Sequence, residues 1–541
     1  MLYFEQYDIM FAKIGVFCSD CCGTGAANIT EVIMKKLFRA FSLMLAILLC
    51  ASIFAACNNE TANESSAVSS NVSTPSREDF NYGPADYGEF PYKDQNYSGS
   101  DPIRILCVET DRHKYGLQQF SYIEELEGNT INSAVQERNN FLEENYGITF
   151  EVTATNSPAN DIVLLIQGGN DEYDIICDSV DRLVVGIPQN YYWRIDDLVN
   201  IANPWWDMQA IESISLGEKH YLLAGDAILT DYDNTYLTLY NKQIYKTNTE
   251  VSSHGNIYDI VRNGDFTIDL YYEMCRAVSQ PDENGNWSIN ATYGNLSHAY
   301  GATVMMNGCN VATVVKDENN ELYINVMEQS SVRAFDKVYE LMSDTHNTAR
   351  AELMAGQSTT VSSQYGFAEL EEMFINGRGL FYNASSVSIS ILKSANLEFE
   401  LGVLPIPKYD KTQENYCCTV NRYHSSALAI PTTVPKGRLG QIAFALEALG
   451  FYNADVIRAY YQTTLQLQAV QSDDDAEMLD IVYNNRFYDV GAIYGWGSLL
   501  NLYGNVIANS GANTLASSWE AMSVQVETAM EKAVEDYNNA A

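Results

Sequence analysis

The stretch that decides the fold runs from residue 103 to 177: IRILCV at 103–108, NTINSAVQERNNFLEENYG at 129–147, ITFEVTA at 148–154, DIVLLIQGG at 161–169 and YDIIC at 173–177. The first and last are short apolar runs and predict strands. In 129–146, Ile131, Val135, Phe141 and Leu142 recur at amphipathic spacing and Gly147 follows, the pattern of a helix closed by a glycine. A second strand at 148–154 and a second helix at 161–167, stopped at Gly168-Gly169, complete a strand–helix alternation. That alternation predicts an α/β fold with a parallel sheet covered by helices. Open sheets of this kind bind ligands in loops at the carboxyl ends of their strands, here 109–112 and 178–181. Glu109, Asp111, Arg112 and Asp178 are therefore candidate ligand contacts, with ordinary solvated loop charge as the competing reading.

Downstream, NPWWD at 203–207 reads as a loop and GEKHYLLA at 217–224 as a hairpin. TYLTLY at 235–240 alternates enough for a strand. Residues 266–278 carry Phe266, Leu270, Met274 and Val278 near one helix face. KDENNE at 316–321 is a polar hairpin turn. Helices are expected at 332–341 and 365–374, a strand at 379–383 and extended segments at 401–407 and 427–431. The last third is mostly helical, at 439–452, 454–461, 475–484 and 518–537. There is no internal repeat.

Upstream, residues 34–57 read MKKLFRAFSLMLAILLCASIFAAC. Lys35, Lys36 and Arg39 precede an apolar run from Phe41 to Phe54, and Ala55-Ala56 stand before Cys57, which is the order of an export signal. An apolar run of about 14 residues is too short for a span, which takes about 20. Residues 1–33 resemble neither a signal nor a domain and are expected to reflect a start codon assigned too early, with Met34 the true start. Residues 58–76, rich in Asn, Ser and Thr, have the composition of a flexible tether. The Tyr-, Gly- and Asp-rich segment after it, to about residue 100, is expected to be a loosely packed lead-in.

The chain carries 70 acidic against 31 basic residues, a net charge of −39. Nucleic acid and anionic lipid both require Lys/Arg clusters, so neither is an expected partner. Hydrophobic residues at 46% and 37 tyrosines supply core for two or more lobes. Of the cysteines after Cys57, Cys107 and Cys177 fall in strand-like runs and Cys417-Cys418 are adjacent, which points to buried free thiols, although an even number leaves a bridge open. Gly-x-Ser-x-Gly, HExxH and a Walker loop are absent, and the six histidines include no metal-spaced pair. Residues 282–286, DENGN, are oxygen-rich, but the glycine falls at the fourth position where a calcium loop of the EF-hand type has it at the sixth, so a turn is expected. No cofactor or metal is implied.

In order along the chain stand YDII (173–176), WWD (205–207), LYNK (239–242), DFTIDLYYEMCRAV (265–278), FINGRGLFY (374–382), GVLPIPKYDKTQENY (402–416), LAIPTT (428–433) and EMLDIVYNNRFYDVGAIYGWG (477–497). With the small-small-Cys ending at 55–57, which resembles a lipobox except that Phe54 stands where leucine is usual, this order resembles the sugar-type extracellular solute-binding proteins of ABC importers. The resemblance implies a two-lobe periplasmic-binding-protein-like fold, crossing strands between the lobes and a helical C-terminal part. Carried over by motif, the crossings fall near 224–231, 405–411 and 452–455. Lobe 1 would comprise 101–230 and 412–453, and lobe 2 would comprise 231–411 and 454–541.

The function so implied is non-enzymatic: a lipoprotein, acylated on Cys57 at the outer face of the membrane, captures a carbohydrate and hands it to permease subunits, and acts as a monomer. A secreted carbohydrate-active enzyme is the alternative. Glycoside hydrolysis takes two carboxylates about 5–10 Å apart, and no motif selects such a pair. Sugar sites combine aromatic platforms with polar partners. Trp496, in YGWG, lies off any amphipathic period and is either a platform or a packing anchor. Of Trp205 and Trp206, one is expected to pack and the other to face outward. Tyr236, Tyr382 and Asn383 are placed beside the cleft by the resemblance, with core packing as the alternative.

Overall fold

The computed structural model describes residues 83–540 apart from 358, 360–366, 394, 396, 466–471 and 510. The readings of 1–33, of the signal and Cys57 at 34–57, and of the tether at 58–76 lie outside the described residues.

Two mixed sheets form two lobes. In the first, the strands run in the order Ser426–Ala429, Ile175–Ser179, Ile103–Val108, Phe150–Thr155. Ile103–Val108 pairs in parallel with Phe150–Thr155 and with Ile175–Ser179, as its alternation with helices requires, and Ser426–Ala429 adds antiparallel. The covering helices are Thr130–Tyr146 and Pro158–Gly168. Asn129 caps the first by accepting from Asn132 N, and Gly147 ends it at φ 67°, a left-handed conformation open to glycine without a Cβ penalty. The second sheet has the order Leu401–Leu404, Tyr236–Asn241, Gly379–Ser385, Tyr293–Ser297, Thr348–Arg350. Ile268–Val278 and Gln329–Ser343 pack beside it with their amphipathic faces inward.

The lobes are joined where chain segments cross side by side. The first crosses at 230–236 and the return at 418–424, bridged by Thr235 to Val420 and by Asn421 N donating to Asn234 O at 2.9 Å. A third, Arg486–Phe487, pairs in parallel with Cys418–Thr419. The return thus falls about ten residues later than the motifs implied, because 405–416 is still held to the second lobe: Lys408 exchanges backbone hydrogen bonds with Phe266 and Ile268, and Tyr416 Oη donates to Val261 O.

Three expectations are corrected. Residues 217–224 form no hairpin; Leu223 instead bridges Leu428 of the first sheet. The lead-in is not loose from residue 83 onward: Phe90 is 3% exposed and sits in an aromatic cluster with Tyr92, Tyr146, Trp205, Phe444, Phe451 and Tyr452. The chain does not leave the first lobe at 452–455, since Ala454–Leu465 packs along Thr130–Tyr146. Asp473–Asn484 is held to the second lobe, where Asp475 accepts from Val403 N and Lys242 Nζ. Leu515–Asn539 ends on the first lobe, with Tyr537 Oη on Lys219 O at 2.6 Å. The six cysteines after residue 57 are buried free thiols. Asp282 closes the 282–286 turn by accepting from the backbone of Asn284 and Asn286. No helix among the described residues is long and apolar enough to cross a membrane.

Candidate ligand cleft

Between the lobes lies a cleft of about 460 Å³, lined by residues from the first lobe, the return crossing and the second lobe. From the first lobe come Asp111 and Arg112, in the loop that follows Ile103–Val108. This loop is wound tightly, with Arg112 N and His113 N both donating to Glu109 O. Arg112 is held rather than free: it pairs with Asp178 at 2.8 Å and donates to Ser179 Oγ at 2.6 Å and to Asn156 O at 3.2 Å. Asp178 is fully buried at the carboxyl end of its strand and also accepts from Ala159 N and Ser179 N. Asp178 therefore orients the guanidinium from behind and does not itself line the cleft, and neither does the side chain of Glu109.

The return crossing contributes Asn421, Tyr423 and His424. Tyr423 is 44% exposed, and the Arg422 guanidinium sits 4.5 Å from its ring centroid while donating to its hydroxyl at 3.2 Å. Arg422 is anchored in turn on Ala492 O and Ile493 O. One ring face is thus backed by a fixed cation.

The second lobe supplies an aromatic wall. His298 and Tyr300 follow the strand Tyr293–Ser297; the His298 ring stacks on Phe367 at 4.5 Å and lies parallel to Tyr300 at 6.1 Å. Tyr236 Oη approaches His298 Nε2 at 3.5 Å. Tyr382 and Asn383 come from Gly379–Ser385. The Asn383 amide is fixed from below, accepting from Tyr271 Oη and donating to Thr238 Oγ1. Ser385 and Ser388 add hydroxyls.

Burial sets the charge of this surface. It holds the His298 imidazole down to about 4; His424 is likewise down to about 4, by burial and by the positive field of Arg112. His113, which packs edge-on against His424, is pushed to about 3 by burial, Arg112 and His424. Burial raises the Tyr236 and Tyr382 hydroxyls above their ordinary range. At neutral pH these rings are uncharged, and Asp111 is the one carboxylate among the described lining residues. Rings, amides and hydroxyls of this kind complement a neutral molecule with apolar faces and hydroxyl edges.

Of the candidates read from sequence, the fold brings Asp111, Arg112, Tyr236, Tyr382 and Asn383 together at the cleft. Trp205 and Trp206 are both buried, a correction to the expectation that one faces outward. The Glu447 carboxylate accepts both indole N–H groups, at 2.8 and 3.0 Å, which holds the pair inside. Trp496 is 6% exposed and stacks on Tyr494 at 5.1 Å, away from the cleft lining. His298, Tyr300, Phe367, Asn421, Tyr423 and His424 were missed. The rule that selected the loop at 109–112 also applies to SHAY at 297–300, which follows a second-lobe strand; the NRYH run at 421–424 is found only once the return crossing is placed correctly.

No family model matches the sequence, and no curated protein matches it. Among solved structures, the chain is similar to UgpB from Mycobacterium tuberculosis in complex with glycerophosphocholine, at 13% identity over 81% of this chain and 100% of that one, with a TM-score of 0.49. It is similar to a sugar transporter from Rhizobium etli in an open conformation, at 13% identity, 81% and 100% coverage and a TM-score of 0.49. It is also similar to a maltotriose binding protein from Thermus thermophilus bound with maltotriose, at 13% identity, 79% and 100% coverage and a TM-score of 0.44.

Proposed function

We propose that this protein is the substrate-binding component of an ABC importer, capturing a carbohydrate between its two lobes and handing it unchanged to permease subunits. The observation that carries this reading is the interlobe cleft, in which Tyr423 and the Tyr300–His298–Phe367 wall face a cavity rimmed by Asn383, Asn421, Ser385, Ser388 and the clamped Arg112. Such a surface matches the alternating apolar and hydroxyl character of a sugar. Asp111, Arg112, Tyr236, Tyr382 and Asn383 are proposed ligand contacts. The motif order of the sequence supports the importer, and the basic-apolar-small-Cys order at 34–57 supports a lipid anchor on Cys57 at the outer face of the membrane. The test is a thermal-shift screen of the full chain against mono- and oligosaccharides, with the hit analysed after incubation. A saccharide that raises the unfolding temperature and is recovered intact is the expected result; cleavage of the hit, or no response across the panel, overturns the reading.

A further inference from the structure

The cleft offers more ring surface than hydroxyl-binding groups, because most of its polar side chains are already bonded to the protein. Arg112 uses Nη1 and Nη2 on Asp178, Asn156 O and Ser179 Oγ. The Asn383 amide is engaged at both ends, by Tyr271 Oη and Thr238 Oγ1. Asn421 Oδ1 accepts from Tyr423 N at 3.0 Å, Tyr236 Oη is turned to His298 Nε2 at 3.5 Å, and Ser388 faces the buried Tyr382 hydroxyl. Among the described lining residues, the neutral groups left for a ligand are Asn421 Nδ2, the Ser385 hydroxyl and the hydroxyls of Tyr300 and Tyr423, beside Arg112 Nε and the Asp111 carboxylate.

One pyranose, with hydroxyls around its rim, uses about that supply, since each buried hydroxyl left unpaired costs free energy. A second sugar ring would need as many partners again. Yet the cavity, at about 460 Å³, is of the size that holds drug-sized ligands, larger than one sugar ring. The rest of its surface is aromatic. Phe367 stacks on His298 at 4.5 Å with an interplanar angle of 13°, and Tyr300 lies within 7° of parallel to the same imidazole. Tyr423 adds a ring whose back is covered by the Arg422 guanidinium at 4.5 Å. A cation there draws π density to its own side, so the face turned to the cleft suits the negative face of an arene better than the partly positive C–H groups of a sugar.

We propose that the cleft takes a glycoside with an aromatic aglycone: one sugar ring held by Asn421, Ser385, Arg112 and Asp111, and an aryl group laid along Phe367, His298, Tyr300 and Tyr423. This rests on the capture reading above and narrows it to one class of ligand. An aryl group asks for no hydrogen bonds, so it fills the remaining volume without leaving buried hydroxyls unpaired, and it adds apolar burial and ring contacts. A second sugar in the same place would give up its hydration for a surface without partners to replace it.

The test titrates the full chain calorimetrically with the methyl and phenyl glycosides of glucose, galactose, mannose and xylose, in both anomers, and with maltose, cellobiose, lactose and mannobiose. For the sugar that binds best, the phenyl glycoside is expected to bind about tenfold tighter than the methyl glycoside, and tighter than every disaccharide. Phe367→Ala is expected to cut the phenyl-to-methyl ratio to about threefold. An unchanged ratio in the folded variant, equal wild-type affinities for phenyl and methyl, or a disaccharide that matches the best phenyl glycoside overturns the inference and leaves the capture of a sugar standing. Silence of the wild type across the whole panel overturns the capture reading and this inference with it. If Phe367→Ala does not fold, the wild-type panel decides alone.

Discussion

Tyr423 keeps a ring face in the cleft because Arg422 fixes it from behind, bonded to Ala492 O and Ile493 O. A ring held this way loses little freedom when a ligand stacks on it. Tyr423→Ala is expected to weaken binding of the saccharide found by thermal shift by about 1–2 kcal/mol, or roughly 5- to 30-fold, without moving the unfolding midpoint. Calorimetric titration reads the first and denaturant unfolding the second; equal affinities would remove Tyr423 from the site. Trp496 shows why aromatic residues mislead at this scale. Gly495 and Gly497 flank it at φ 63° and 54°, and a Cβ at either would meet Arg422 or Val526 within 3 Å. The YGWG run is thus explained by a tight turn between packed elements. A sequence shows the glycines and the ring, but not what surrounds them.

The helix Thr130–Tyr146 is the element most fully written in the sequence, from its Asn129 cap to its Gly147 stop. Gly147 also matters through a neighbour no local pattern announces: a Cβ there would lie 2.3 Å from Ser98 N. Gly147→Ala is expected to cost about 1–3 kcal/mol from backbone strain alone, more once residues 96–98 are displaced. A fall of roughly 2–10 °C in the thermal unfolding midpoint, followed by circular dichroism, is the readout; an unchanged midpoint would show that the lead-in gives way freely. The lead-in was misread for a related reason. Phe90, Tyr92 and Tyr97 follow no helical or strand period, and what orders them is a ready-made aromatic surface on Leu439–Tyr452 and Trp205.

For the whole molecule, pH acts through two buried sets of groups with opposite signs. His113, His298 and His424 are held at about 3, 4 and 4, so the unfolded chain takes up protons below pH ~6.5 that the native chain refuses, and stability drains away as pH falls. Asp231 and Asp233, raised to about 7 and about 6 by burial, keep their protons in the native state, and their contribution grows as pH falls. The two sets offset each other, so a single variant is needed to expose one. Relative to wild type, His298→Gln is expected to gain about 2 kcal/mol between pH 7 and pH 5, measured by denaturant unfolding at each pH. A difference that does not change with pH would mean that His298 titrates normally in the folded protein.

Amino-acid order alone specified the strand–helix alternation of the first lobe and with it the α/β class, the helical C-terminal third and the loop that carries Asp111 and Arg112, because each depends on local periodicity or on a turn residue at a short, fixed spacing; the division into two lobes came from the resemblance carried by the ordered motifs. Which aromatics reach the cleft was decided by tertiary structure. Glu447 lies 241 residues from Trp206, yet its carboxylate turns that indole and its neighbour inward. Cys418–Thr419 pairs with Arg486–Phe487 and so delivers Asn421, Tyr423 and His424 to the gap between the lobes. Contacts over such separations depend on where the chain crosses, and a crossing leaves no periodic trace in sequence.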